Sequence, residues 1–337
     1  MAPRRLDWLR STLARRSSLL LLVWFAILGP GYLALLGLDA IGVDARIYYR
    51  GSAAWLAGAN PWDAVASYSV SYGTNYYHFA GLPTSVVLFA PATLLPESLF
   101  VAAWVLLSAA SAVFVVRRVG LPIWWLLFPP LLEGVWSGNP GVVLMALLVA
   151  GNPVLGAVGS VLKIYALVPL ALLGRARAVA LSIGLVFATA IVAPSLWVSY
   201  VHQFGQLSGR LLSESDGGYS LMRYPFLVPV GAALLALLAY YDRRTVAWLA
   251  VPALWPSSEL HYSILALPVA SPLLAALIAI PERGILPFAV IAFMSLRLIR
   301  ITWDRAGRRL PVELHALDRP IVAGSLRDAS ADAGAGA

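Results

Sequence analysis

The 337-residue sequence contains no cysteine, so disulfides and thiolate metal sites are excluded and the redox compartment cannot be read from it. Charge is scarce as well: 12% of residues are charged, against roughly 25% in a soluble domain. So few charges cannot clothe a water-facing surface. Lysine occurs once, as Lys163, so the net charge of +8 is carried by arginine. The arginines stand as scattered juxtamembrane pairs, the pattern of topology signals and not of a nucleic-acid groove. No P-loop, no GxGxxG after a strand, no HExxH and no kinase set is present, which removes the familiar nucleotide and metalloprotease classes.

What is present is apolar. Hydrophobic residues make up 60% and the mean hydropathy is +0.81. About 20 apolar residues cross a bilayer as a helix, so roughly ten crossings fit this length. The expected fold is therefore an all-α, polytopic transmembrane bundle of about nine to eleven membrane helices, short or re-entrant ones included. Residues 1–17, with Arg4, Arg5, Arg10, Arg15 and Arg16, read as a basic cytoplasmic N-terminus. The block from about Ser18 to Leu38 is too long for a signal segment and reads as a retained first helix. Residues 18–303 form the membrane domain, with a first outer loop over 39–81, and 304–337 form a polar tail expected to be disordered.

Counting every apolar block as one crossing places the loops 39–81, 196–222 and 257–261 together outside. Arg175/Arg177, Arg243/Arg244 and Arg283 then fall inside, as the positive-inside rule requires. Arg117/Arg118 and the basic tail from Arg297 fall outside, against it.

Chemistry is concentrated in GVDARIYYRGSAAWLAGANPWD (Gly42–Asp63). Asp44 opens a short helix, Arg46 and Arg50 sit one turn apart on it, and Gly58 with Asn60–Pro61 stops it. A carboxylate there can cap the helix or serve as a general base. Asp39 and Asp63 read as solvated loop acids. His261, beside Glu259, lies at an outer face and can meet a phosphate; Lys163 interrupts an apolar block and can snorkel or line a cavity. Glu133 and Asn139, around EGVWSGNPG, break another block and raise the same question. His202, Arg210 and Arg223 fall in the loop 196–222 as ordinary loop residues or phosphate contacts. The acids are not grouped along the chain and the His/Asp sets lack ligand spacing, so no metal site and no cofactor is expected.

The run VDARIYYRGSAAWLAGANPWD resembles the first outer loop of glycosyltransferase family 87, membrane enzymes of the GT-C class that use polyprenyl-phosphate sugars. That loop carries an Asp, a Tyr four or five residues on, and a Leu-x-Gly-x-x-Pro-aromatic segment. Here these are Asp44, Tyr48 or Tyr49, and Leu56 to Trp62. Tyr76–Glu97 is similar to the family's Tyr/Pro segment, although the Tyr-x-Pro-Pro core is loosened to His78-Phe79-Ala80-Gly81-Leu82-Pro83. SGNPG, LKIYALVPLALLGR and SELHY fit later family features.

The resemblance implies a GT-C-like fold and an inverting, metal-independent sugar transfer outside the cytoplasm of the cell membrane. Asp44 would be the base, and His261, Lys163, Arg210 and Arg223 would meet the donor phosphate, with Tyr48, Tyr49 and Glu259 in the substrate site. The implied partners are a polyprenyl-phosphate sugar, mannose before arabinofuranose, a lipid or glycan acceptor and membrane lipids, with no nucleic acid. The alternatives are a lipid-handling or transport protein without catalysis and an inactive scaffold.

Overall fold

The computed structural model describes residues 3–70, 73–215 and 218–306; the tail from 307 onward, expected to be disordered, lies outside the described residues. Fourteen α-helices run in chain order among the described residues. They are α1 (Pro3–Leu36), α2 (Val43–Leu56), α3 (Pro83–Phe89), α4 (Glu97–Val119), α5 (Pro129–Trp136), α6 (Pro140–Ala150) and α7 (Pro153–Leu162). After these come α8 (Leu167–Leu172), α9 (Ala176–Val192), α10 (Pro194–Ser215), α11 (Val228–Tyr241), α12 (Arg243–Leu254), α13 (Pro272–Ile278) and α14 (Leu286–Arg305). Among the described residues the departure from all-α lies in the segment 39–81. There β1 (Val65–Val70) and β2 (Gly73–His78) pair antiparallel, Val65 opposite His78.

Proline explains why so many apolar blocks are short helices. Pro83, Pro129, Pro140, Pro153 and Pro272 each stand at the start of a helix. The ring suits the first turn, where the missing N–H is not needed, and discourages continuation from the preceding residue. Asn139, Asn152, Ser271 and Asp242 supply side-chain caps to α6, α7, α13 and α12. The block 262–280 is accordingly a 3-10 segment (Leu260–Val269) followed by α13, and Lys163 separates α7 from α8.

Among the described residues three helices are long and apolar enough to cross a membrane: residues 16–36 of α1, α4 and α14. Five spans result when α5–α6, bent by 117°, and α9–α10, bent by 106°, each count as one. By length and composition this is fewer than the nine to eleven expected from apolar blocks. The outward faces are apolar, with Leu19, Leu20, Ile27 and Leu35 of α1 and Leu99 and Leu106 of α4 exposed. Since lipid is as apolar as leucine, packing and close approach must hold the helices together. Phe25 meets Trp125 edge-on at 5.2 Å and Phe128 at 5.2 Å. A Cβ at Gly29 would lie 2.7 Å from the Leu127 carbonyl oxygen, so only glycine lets α1 approach this segment.

The polar contacts correct the block-counting topology. Arg118 Nε donates to Val149 O (3.3 Å) and Arg175 Nη1 to Leu148 O (2.7 Å). The two arginine pairs expected on opposite sides therefore share one end of the bundle. Arg243 donates to Ala171 O, and Arg297 pairs with Asp242 at 2.8 Å, which brings the start of α12 and the later part of α14 to that end. Arg283, expected with these arginines, lies at the opposite end, in the wall of the cavity that contains Asp44. The blocks 83–96, 153–173 and 262–280, each one crossing by block counting, are each built of two short helical pieces: α3 with a 3-10 turn, α7 with α8, and a 3-10 segment with α13. The stretch 196–222 is likewise no loop for most of its length: α10 carries His202, exposed, and Arg210.

Candidate functional site

Two helix ends meet to hold Asp44. Gly42, at φ +68°, turns the chain into α2 in a conformation that favours glycine, and a Cβ there would collide with Val101. The first amides of α2 then dock onto the last carbonyls of α5. Gly42 N–H donates to Trp136 O at 2.8 Å and Asp44 N–H to Ser137 O at 2.9 Å. Each helix thereby satisfies backbone groups the other leaves open. Asp44 is thus not the cap of α2; Gly42 occupies that position.

Its carboxylate, in a residue 9% exposed, instead accepts from Asn139 Nδ2 at 2.8 Å. Asn139 is committed in both directions, because its Oδ1 accepts from Gly141 N–H at 2.8 Å as the cap of α6. Trp104 Nε1 donates to Gly138 O and Trp136 Nε1 to Gly37 O, which fixes the α5–α6 hinge against α4 and α1.

Asp44 lines a cavity of about 80 Å³ together with Glu133, Ser137, Glu259, Arg283 and tyrosines 32, 68, 77 and 219. The β-hairpin contributes Tyr68 and Tyr77, whose rings stack at 5.7 Å. Burial, then the nearby Glu259 carboxylate, raises the Tyr77 hydroxyl far above its usual range and keeps it neutral. Burial also raises Glu259, helped by the like charges of Asp44 and Glu133 and opposed by His261 and Lys163.

His261 is 2% exposed, with Nδ1 2.8 Å from Glu133 Oε2 and 3.6 Å from Glu259 Oε2. Its ring lies against Tyr262 at 5.1 Å, and the Lys163 ammonium stands 5.1 Å from the Tyr262 centroid and 5.9 Å from that of Tyr165. Lys163 acts electrostatically on Glu259 and His261. Asp44, His261 and Lys163 therefore gather at one end of the bundle. The acids also gather: Glu133, Glu259 and His261 place one ligand atom each within 4.8 Å of the others. The reading of ungrouped acids is corrected accordingly, since residues 126 apart in sequence meet through folding alone.

The other residues singled out from sequence serve the frame. Tyr48 packs edge-on against Phe79 and beside Phe89. Tyr49 donates to Leu95 O and lies on Phe100, away from the cavity. Arg210 donates to Trp62 O, and Asn60 bonds Gln203, so α10 is tied to the segment 39–81. Arg223 lies over Tyr224 at 6.0 Å, outside the cavity lining. The arginine of the cavity wall is Arg283, with its guanidinium over Tyr219 at 5.7 Å. Arg50 holds Glu97 through two bonds of 3.1 and 2.8 Å and also reaches Val65 O, joining α2, α4 and β1.

Comparison with protein families, with curated proteins and with solved structures finds no match to this chain.

Proposed function

We propose that the chain is a membrane glycosyltransferase that moves a sugar from a polyprenyl-phosphate donor to a hydroxyl acceptor, with Asp44 as the base. The observation that carries this reading is the buried Asp44 carboxylate, oriented by Asn139 in the wall of a cavity with a basic side chain nearby. Asp44 takes the acceptor hydroxyl proton as that oxygen bonds to the anomeric carbon. The bond from this carbon to the phosphate oxygen breaks, and polyprenyl phosphate leaves with the electron pair. Inversion follows from this single in-line step.

Arg283, Lys163 and the buried His261 are the groups able to stabilise the charge that develops on the leaving phosphate. About 80 Å³ is well under the roughly 300 Å³ at which ligand pockets begin. Binding therefore requires the cavity to widen. The positive-inside rule assigns the arginine end of the bundle to the cytoplasm, which turns the Asp44 cavity outward.

The test uses purified protein in proteoliposomes with labelled polyprenyl-phosphate mannose, and in parallel the arabinofuranose donor, to fix the sugar. Transfer by wild type and loss of it in folded Asp44→Asn supports the reading. Transfer by Asp44→Asn at the wild-type rate removes Asp44 as the base.

A further inference from the structure

The geometry points to a divalent-cation site formed by Glu133, Glu259 and His261, of a type that takes zinc before manganese. The three residues come from α5, the turn before the 3-10 segment, and that segment itself, and among the described residues they are the group of His and acidic side chains that could hold a metal ion. His261 has one Nδ1 and two carboxylates in front of it. It makes a hydrogen bond to Glu133 at 2.8 Å, but its 3.6 Å to Glu259 is too long for a second one. A cation removes this shortfall. Around a tetrahedral ion with bonds of about 2.1 Å, neighbouring donors stand roughly 3.4 Å apart, so small side-chain movements close the set.

A further observation points to a ligand. Ser137 Oγ, in a residue 5% exposed, lines the same cavity as both glutamates and has no hydrogen-bond partner. Charge agrees in sign, because Asp44, Glu133 and Glu259 outnumber Lys163 and Arg283 when the imidazole is neutral. One imidazole with two carboxylates suits a borderline ion such as zinc better than magnesium or calcium, which favour oxygen alone. Three protein ligands also leave a position open for water or a substrate oxygen. The rival occupant is a proton, with an imidazolium clamped by Glu133 alone.

This inference goes beyond the sugar-transfer reading and is tested without any donor. Full-length protein in detergent is stripped with a chelator and titrated with zinc, then manganese, by calorimetry and elemental analysis. The expected result is one zinc per chain, bound more tightly than manganese and weakened at least about tenfold in Glu133→Gln and in Glu259→Gln. X-ray absorption of the wild-type zinc form, which depends on no variant folding, should show one imidazole with oxygen ligands. Absence of stoichiometric zinc, equal binding by folded variants, or a spectrum lacking imidazole would each overturn the site in favour of the proton.

Discussion

At one end of the bundle Arg118, Arg175 and Arg243 each donate to a carbonyl late in a neighbouring helix, and Asp242 is held by Thr245 and Arg297. At the other end Ser137, Ser258 and His261 each keep a buried polar atom without a partner. The same physical cost, about 1–3 kcal/mol for each unsatisfied buried group, is met for these charged groups at the first end, although Trp125 Nε1, a few residues beyond Arg118, also lacks a partner, and is left standing at all three groups of the second. Saturated polar groups make a rigid joint and have nothing left to offer a ligand. Open valences weaken the fold locally and are what a binding or catalytic site requires. The contrast separates an end held by ion pairs and arginine–carbonyl bonds from the end where the proposed site lies.

The contrast can be broken by experiment, beginning with the largest effect. Asp44→Asn should lower sugar transfer by roughly 10²- to 10⁴-fold, the range for loss of a general base, with little change in melting temperature. Asp242→Ala should do the opposite. It should cost about 3 kcal/mol of stability by removing both the cap of α12 and the partly buried ion pair with Arg297, measured by thermal unfolding in detergent, and leave transfer by the folded fraction intact.

Asn139→Ala lies between these, because it removes both the cap of α6 and the bond to Asp44. A loss of about 2 kcal/mol is expected, with a fall in transfer that Asp242→Ala does not produce. Acid should weaken the fold through the arginine end. Burial alone would raise Asp242, but the hydrogen bonds from Thr245 and Arg297 outweigh it and hold its carboxyl below the usual range. A depressed native pKa stabilises the fold above the unfolded value of about 3.9. That stabilisation is lost as pH falls from there through the native pKa, and an unfolding titration of wild type against Asp242→Asn should show it. The smallest effect, of opposite sign, is expected at Ser137→Ala, which should stabilise by about 1 kcal/mol, since it deletes a buried hydroxyl that has no partner.

How much of this was legible varies by residue, for physical reasons. The stop of α2 at Gly58 and Asn60–Pro61 was readable because turn chemistry is local. Lys163 and Glu133 were conspicuous because ionisable groups within apolar blocks are costly. The meeting of Glu133 with His261 and Glu259 was not readable, since it depends on where a half-length helix turns back. Arg283 was misplaced for that same reason. The hairpin β1–β2 did leave a signal that was missed: Tyr68, Val70 and Tyr72 alternate with serines before Gly73, and a second β-prone, tyrosine-bearing run follows it in SYSVSYGTNYYH.

Helix α6, 11 residues long and so about 16 Å from end to end, joins the two ends directly. Its first turn is capped by the asparagine that also holds Asp44, and its last carbonyls receive Arg118 and Arg175. Aligned peptide dipoles give such a helix roughly half a positive charge at its start and half a negative charge at its finish. The acid therefore meets the positive pole and the arginines meet the negative one. Reversing α6 would set like charge against like at both places, so this one short element carries an electrical polarity that makes the acidic and arginine ends non-interchangeable.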